Sequence, residues 1–198
     1  MAVRSCRKSV RGRDRTEMMP LPPTLTIDDI LRESDKAFQR FTTFCKDLPP
    51  ELFFRETDGK WSIAQNLQHL VICTKTATAA YALPKFLVRL FGGKPNRDSR
   101  PYPVLVEKYQ QKLAAGGKAQ GRYIPKHMKP NSNKEELIKH WRQFTTIYLQ
   151  ALRKNWKDEQ LDKYIVKHPL LGKITLRELC YFTIYHTDHH LEIVKKRS

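Results

Sequence analysis

Histidines supply the chemistry that this sequence is equipped to do. His186 and His190 stand four residues apart in Tyr185-His186-Thr187-Asp188-His189-His190-Leu191. That spacing puts both on one face of a helix, one turn apart. At about 100° per residue, Leu179, Thr183, His186, His190 and Ile193 share a narrow stripe. The pair therefore sits in the middle of the face that must be buried, and Asp188 points nearly the opposite way, toward solvent. Buried imidazoles need hydrogen-bond partners or a metal, and two charged ones side by side repel. One divalent ion held by two neutral imidazoles meets both demands. The competing arrangement is a pair of core histidines satisfied by hydroxyls such as Thr183. A metal needs a third ligand, and His69 is the candidate. Its helical angle places it at the edge of an apolar stripe beside Asn66 and Cys73, where a ligand and a boundary histidine are both open readings. Cys73, one turn later, can approach the same ion, although a helix-borne cysteine more often packs. His189 lies about 100° round the helix from His190 and is read as a pocket residue or a support for the ligands, as are Asn66 and Thr183. His127 in a loop, His140 near a helix start and His168 in a turn before Pro169 are set aside as ligands.

Such a site requires helices that face one another, and the hydrophobic periodicity supplies them. A first helix is predicted over about 27–47, opened by Thr26 with Asp28 and Asp29 and closed by Pro49 and Pro50. A second begins after Trp61 with the capping box Ser62 and Gln65, buries Ile63, Leu67, Leu70, Thr74, Ala77 and Tyr81, and ends or kinks at Pro84. Residues 85–91 are read as a separate turn of helix stopped by Gly92 and Gly93. Residues 94–132, rich in Gly, Pro, Lys and Asn, read as a long connection holding one short helix over 104–114, the kind of segment that is functional or mobile. A third main helix covers about 134–154, capped by Ser132 with Glu135 or by Asn133 with Glu136. Residues 168–172 form a turn, and a final helix starts at Thr175, with Glu178 completing a capping box, and runs to about Lys196. Four long helices and no convincing strand predict an all-α four-helix bundle.

Composition narrows the class. Of 198 residues, 40% are hydrophobic and 10% aromatic, enough for a packed core. Residues 1–25 read as a disordered basic leader followed by a Pro-rich linker, and 26–198 as the folded domain. The 37 Lys and Arg against 20 Asp and Glu give a net charge of +17. Because the charge is spread over helices and loops, without zinc-finger spacing or an aromatic-basic signature, nucleic-acid contact is expected to be weak and indifferent to sequence. No apolar run is long enough to span a bilayer, so no membrane role is expected. Four cysteines without a CxxC pair argue against a disulfide framework and fit a reducing cytoplasm.

Trp61-Ser62-Ile63-Ala64-Gln65-Asn66-Leu67-Gln68-His69-Leu70, then His168-Pro169-Leu170-Leu171-Gly172-Lys173-Ile174-Thr175, then His186-Thr187-Asp188-His189-His190-Leu191 together resemble the DinB-like superfamily over about residues 27–196. The resemblance implies an up-down-down-up bundle and a divalent metal, commonly zinc or nickel, on His69, His186 and His190. Members are described as metal-dependent hydrolases, and some branches as thiol-dependent S-transferases. Three protein ligands leave a position open, as in catalytic sites, where a metal-bound water or a thiolate would react. The expected partner is a small-molecule substrate, a thiol among the candidates; a homodimer is left open. The alternative is a non-catalytic binding or stress-response protein whose metal site is structural or vestigial and whose basic surface meets a polyanion. The basic leader, the high net charge and the long basic connection depart from a typical member and put any transferred substrate in doubt.

Overall fold

A computed structural model describes residues 21–129 and 132–197. The chain forms helices α1 (Ile27–Asp47), α2 (Pro50–Phe54), α3 (Ile63–Ala82), α4 (Lys85–Gly92), α5 (Tyr102–Ala114), α6 (Lys134–Asn155) and α7 (Leu176–Lys195), with a hairpin of β1 (Ile165–His168) and β2 (Gly172–Thr175) before α7. Three of the four long helices open on capping boxes, each fixed within four residues of sequence. The Thr26 hydroxyl accepts from the Asp29 N–H at 3.2 Å while the Asp29 carboxylate accepts from the Thr26 N–H at 3.1 Å. Ser62 and Gln65 do the same for α3, and Thr175 and Glu178 for α7. At α6, the side chain of Asn133 accepts from the Glu136 N–H. Each cap contributes about 1 kcal/mol relative to alanine.

The apolar faces then assemble the bundle. α1 and α3 each pack against α6 and α7. Cross-helix contacts give the directions. Arg197, past the end of α7, donates to the Trp61 carbonyl just before α3, and the Tyr81 hydroxyl near the end of α3 meets Cys180 near the start of α7, so these two helices run antiparallel. Arg40 of α1 meets Asp188 of α7 and the Leu25 N–H meets Tyr181, so α1 and α7 run parallel. The centre of the core is aromatic. Phe38 meets Trp141 and Tyr148 edge-on at 5.3 and 5.5 Å, and Tyr81 meets Tyr148 at 5.4 Å, geometries that suit the ring quadrupoles.

Several local expectations are corrected. The segment before α7 is not a bare turn but an antiparallel hairpin, Val166 opposite Ile174, with Gly172 at φ +72° at its tip. Four-residue strands are too short to show an alternating pattern against a background of loop. The hairpin lies against the end of α4, so closely that a Cβ on Gly92 would stand 1.8 Å from the Ile165 carbonyl oxygen. Asp188 does not point to open solvent: its carboxylate takes hydrogen bonds of 2.7 and 2.8 Å from the Arg40 guanidinium. A helix-wheel argument assumes one covered face, whereas α7 is packed by α1, α3 and α5 together. The leader expected over 1–25 falls, for residues 1–20, outside the described residues. Leu25, however, is buried in the core, and the Pro23 carbonyl accepts from the Tyr102 N–H. No helix among the described residues is long and apolar enough to cross a membrane. Cys45, Cys73 and Cys180 are free thiols.

Candidate metal centre

α3 and α7 bring His69, His186 and His190 together. Their rings are buried, each at most 7% exposed. The Nε2 atom of His186 lies 3.2 Å from that of His69 and 3.1 Å from that of His190. The outer two rings are oriented from behind. His69 Nδ1 is 2.7 Å from the Tyr123 carbonyl oxygen. A carbonyl only accepts, so the proton of His69 sits on Nδ1 and its Nε2 presents a lone pair. His190 Nδ1 is 2.7 Å from Asn66 Oδ1. Asn66 is turned that way because its amide nitrogen donates to the Trp61 and Ser62 carbonyls at 3.2 and 2.8 Å. His190 therefore also holds its proton on Nδ1 and offers Nε2 inward.

Two inward lone pairs thus face the third Nε2, which can donate one hydrogen at most. Among the described residues, a fully paired network without an ion requires His186 to donate to His190 and the Cys73 thiol, 3.6 Å from His69 Nε2, to donate to His69. A divalent cation would use the same lone pairs at once, and imidazole ligands whose far N–H is held by a carbonyl or amide oxygen are the usual outer arrangement of metal sites. The donor set fits a borderline ion such as zinc or nickel. The ligand atoms of His69, Cys73 and His186 all lie within 4.8 Å of one another, so Cys73 belongs to the candidate set as much as His190 does.

Electrostatics keep the imidazoles neutral. Burial drives His186 and His190 well below the usual histidine range, and neighbouring histidines drive them further. Burial lowers His69 too, partly opposed by its bond to the Tyr123 carbonyl. Burial alone pushes the Cys73 thiol up to about 12, so without an ion it remains protonated.

The histidines open on a cavity of about 790 Å³, within the range of small-molecule sites. Phe182 stacks on His186 at 4.7 Å, and Trp61 lies 5.2 Å from His69. His189 lines the same cavity, stacked on Tyr185 at 5.9 Å, with its ring centre 5.6 Å from that of His190. Thr183 is on the wall, but its hydroxyl donates to the Leu179 carbonyl, not to an imidazole. His127 pairs with Glu56 on the surface, away from the centre. His168 is turn punctuation, its Nδ1 accepting from the Leu170 and Leu171 N–H groups, and it also lines the cavity.

Sequence reasoning missed the contribution of the long connection. Tyr123 supplies a carbonyl to His69, and the Lys126 N–H donates to Gln68 at 2.6 Å. α5 adds Tyr109, edge-on to Phe182 at 5.1 Å. A backbone carbonyl has no residue signature, so nothing in the sequence marks Tyr123 as a partner of His69.

The DinB superfamily family model matches residues 33–194. No curated protein matches the chain significantly. The matched stretch holds all three buried histidines, Cys73 and the four long helices apart from the start of α1 and the last residue of α7, and the chain belongs to the DinB superfamily.

Proposed function

We propose that this chain is a metal-dependent protein whose divalent ion, held by His69, His186 and His190 with one side open to the cavity, serves hydrolysis or thiol-dependent S-transfer. The observation that carries the reading is the convergence of three Nε2 atoms, two with their lone pairs fixed inward by Asn66 and Tyr123. An ion bound there supplies Lewis acidity toward water or a thiol. The chain's own residues do the rest. Asn66 and the Tyr123 carbonyl hold the tautomers. Phe182, stacked on His186, and Trp61, beside His69, flank the imidazoles on the cavity wall. His189, kept below its ordinary pKa by burial and then by Lys196, is neutral at pH 7 and able to take a proton at the cavity wall. His168, pushed down to about 4 by burial, stays neutral with its proton on Nε2.

A second reading follows from the Cys73 sulfur, 3.6 Å from His69 Nε2. With Cys73 as a fourth ligand the site would be closed and structural. One experiment separates the two. The chain is stripped with chelator, reloaded with zinc or nickel, and assayed against thiol-transfer and ester or amide substrates, beside Cys73→Ala. The proposal expects metal-restored turnover and an equivalent of metal retained by Cys73→Ala. Loss of metal from Cys73→Ala, with no turnover in the reloaded parent, favours the closed site.

A further inference from the structure

The cavity has a polarity that the metal centre does not explain. Its interior wall is apolar, with Leu70, Tyr109, Leu179 and Phe182. The charged side chains on its lining are Lys118, Arg122 and Lys167, and no Asp or Glu lines it. None of the three cations meets a carboxylate within salt-bridge distance among the described residues; Arg122 reaches only the Tyr123 hydroxyl at 3.3 Å and lies over that ring. The cations are exposed whereas the imidazoles are buried, so positive charge collects at the solvent side of the cavity and the histidines at the inner side. The lining also leaves apolar side chains uncovered. Phe91 is 76% exposed, Ile124 51% and Leu83 40%, although all three line the cavity. Apolar surface left open inside a pocket is surface that an apolar occupant would cover.

We propose that the cavity binds an amphipathic anion, with a carboxylate or similar head at Lys118, Arg122 and Lys167 and an apolar body running inward toward the histidines. This deepens the reading of the same site, and only the reactivity of the inner end rests on that reading. Two segments distant in sequence supply the head site: the connection after α5 carries Lys118 and Arg122, and β1 carries Lys167. The long basic connection thereby acquires a role as the wall that selects charge. An exposed ion pair of this kind is individually weak, so affinity comes from the apolar body and charge selectivity from the three cations acting together.

Calorimetric titration of the full chain with octanoate, decanoate, decanol and decyltrimethylammonium tests this, on both chelator-stripped and zinc-loaded protein. Decanoate binds at least about tenfold more tightly than decyltrimethylammonium, and affinity rises by up to about fourfold per methylene. The triple variant Lys118→Gln, Arg122→Gln, Lys167→Gln, all surface positions, keeps the parental melting temperature. It loses about tenfold for decanoate and little for decanol. Stripping the metal leaves this pattern in place, so a chain that bound no metal could still uphold the proposal. Equal binding of the ammonium, no dependence on chain length, or decanoate binding that ignores the triple variant but disappears with the metal overturns it; in the last case the head sits on the ion.

Discussion

Asn66 decides what His190 can do. Its amide is pinned by two backbone carbonyls, so its oxygen must face His190 Nδ1 and the other ring nitrogen is left as a lone pair. Removing that oxygen frees the tautomer and the ring. Asn66→Ala is therefore expected to weaken metal binding by about 10- to 100-fold; competition with a chelating dye reads it, and unchanged affinity would show that Asn66 does not set the tautomer. The same buried rings set an acid limit on the metal-free chain. His69, His186, His190 and His168 all have folded pKa values below their unfolded value near 6.5. Below that value the unfolded chain takes up protons that the folded chain refuses. The stability these groups allow is thus complete above pH 6.5 and is lost as pH falls toward the folded values. Thermal melts of stripped protein should drop by several degrees from pH 7.5 to pH 5, and a flat profile would mean the rings are not held neutral. The histidine pair was legible in the sequence because i, i+4 spacing in an apolar stripe is a local pattern. His69 was legible only as a boundary residue, since its place depends on how α3 meets α7. Cys73 shares a helix face with His69 by local spacing, but its nearness to His186 depends on the same packing.

The helices were largely readable because caps and apolar faces are written within a few residues of each other, as Thr26, Ser62 and Thr175 illustrate. What joins them was not. Glu178 is half of a capping box, and its fully buried carboxylate also receives Arg97 at 2.9 and 2.8 Å, the Arg100 N–H at 2.9 Å and the Arg100 guanidinium at 2.9 Å. It thereby ties the start of the long connection to α7, and so helps place the segment that covers the three buried histidines. Burial pushes its carboxyl pKa up, but these donors outweigh burial and leave it below the ordinary value. Its stabilising effect is therefore present above the usual glutamate range and declines as pH falls through the folded value. Glu178→Ala leaves two guanidiniums that are 32% and 20% exposed and can partly rehydrate. The expected loss is about 2–3 kcal/mol, below the range for a fully enclosed pair, or roughly 5–10 °C in the melt. A shift under a degree would show that the connection is held elsewhere.

The charge of +17 and the N-terminal stretch belong to the molecule as a whole. A chain beginning at Met19 should melt within about 2 °C of the full chain. One beginning at Thr26 should melt markedly lower, because it loses buried Leu25, whose N–H meets the Tyr181 hydroxyl and whose carbonyl accepts from Arg177. The cost is about 3 kcal/mol from side-chain burial and two hydrogen bonds. Equal melting of the two would put the edge of the folded body after Leu25. Metal content decides whether the three imidazoles are ligands. The parent, His186→Ala, His190→Ala and His140→Ala are purified, reconstituted with zinc or nickel, freed of loose ion by dialysis, and analysed by mass spectrometry of the metal. About one equivalent is expected in the parent and in His140→Ala, and little in the other two. A full equivalent in His190→Ala would show that the ligand set is wrong, and no metal in the reconstituted parent would leave the three imidazoles as a hydrogen-bonded core.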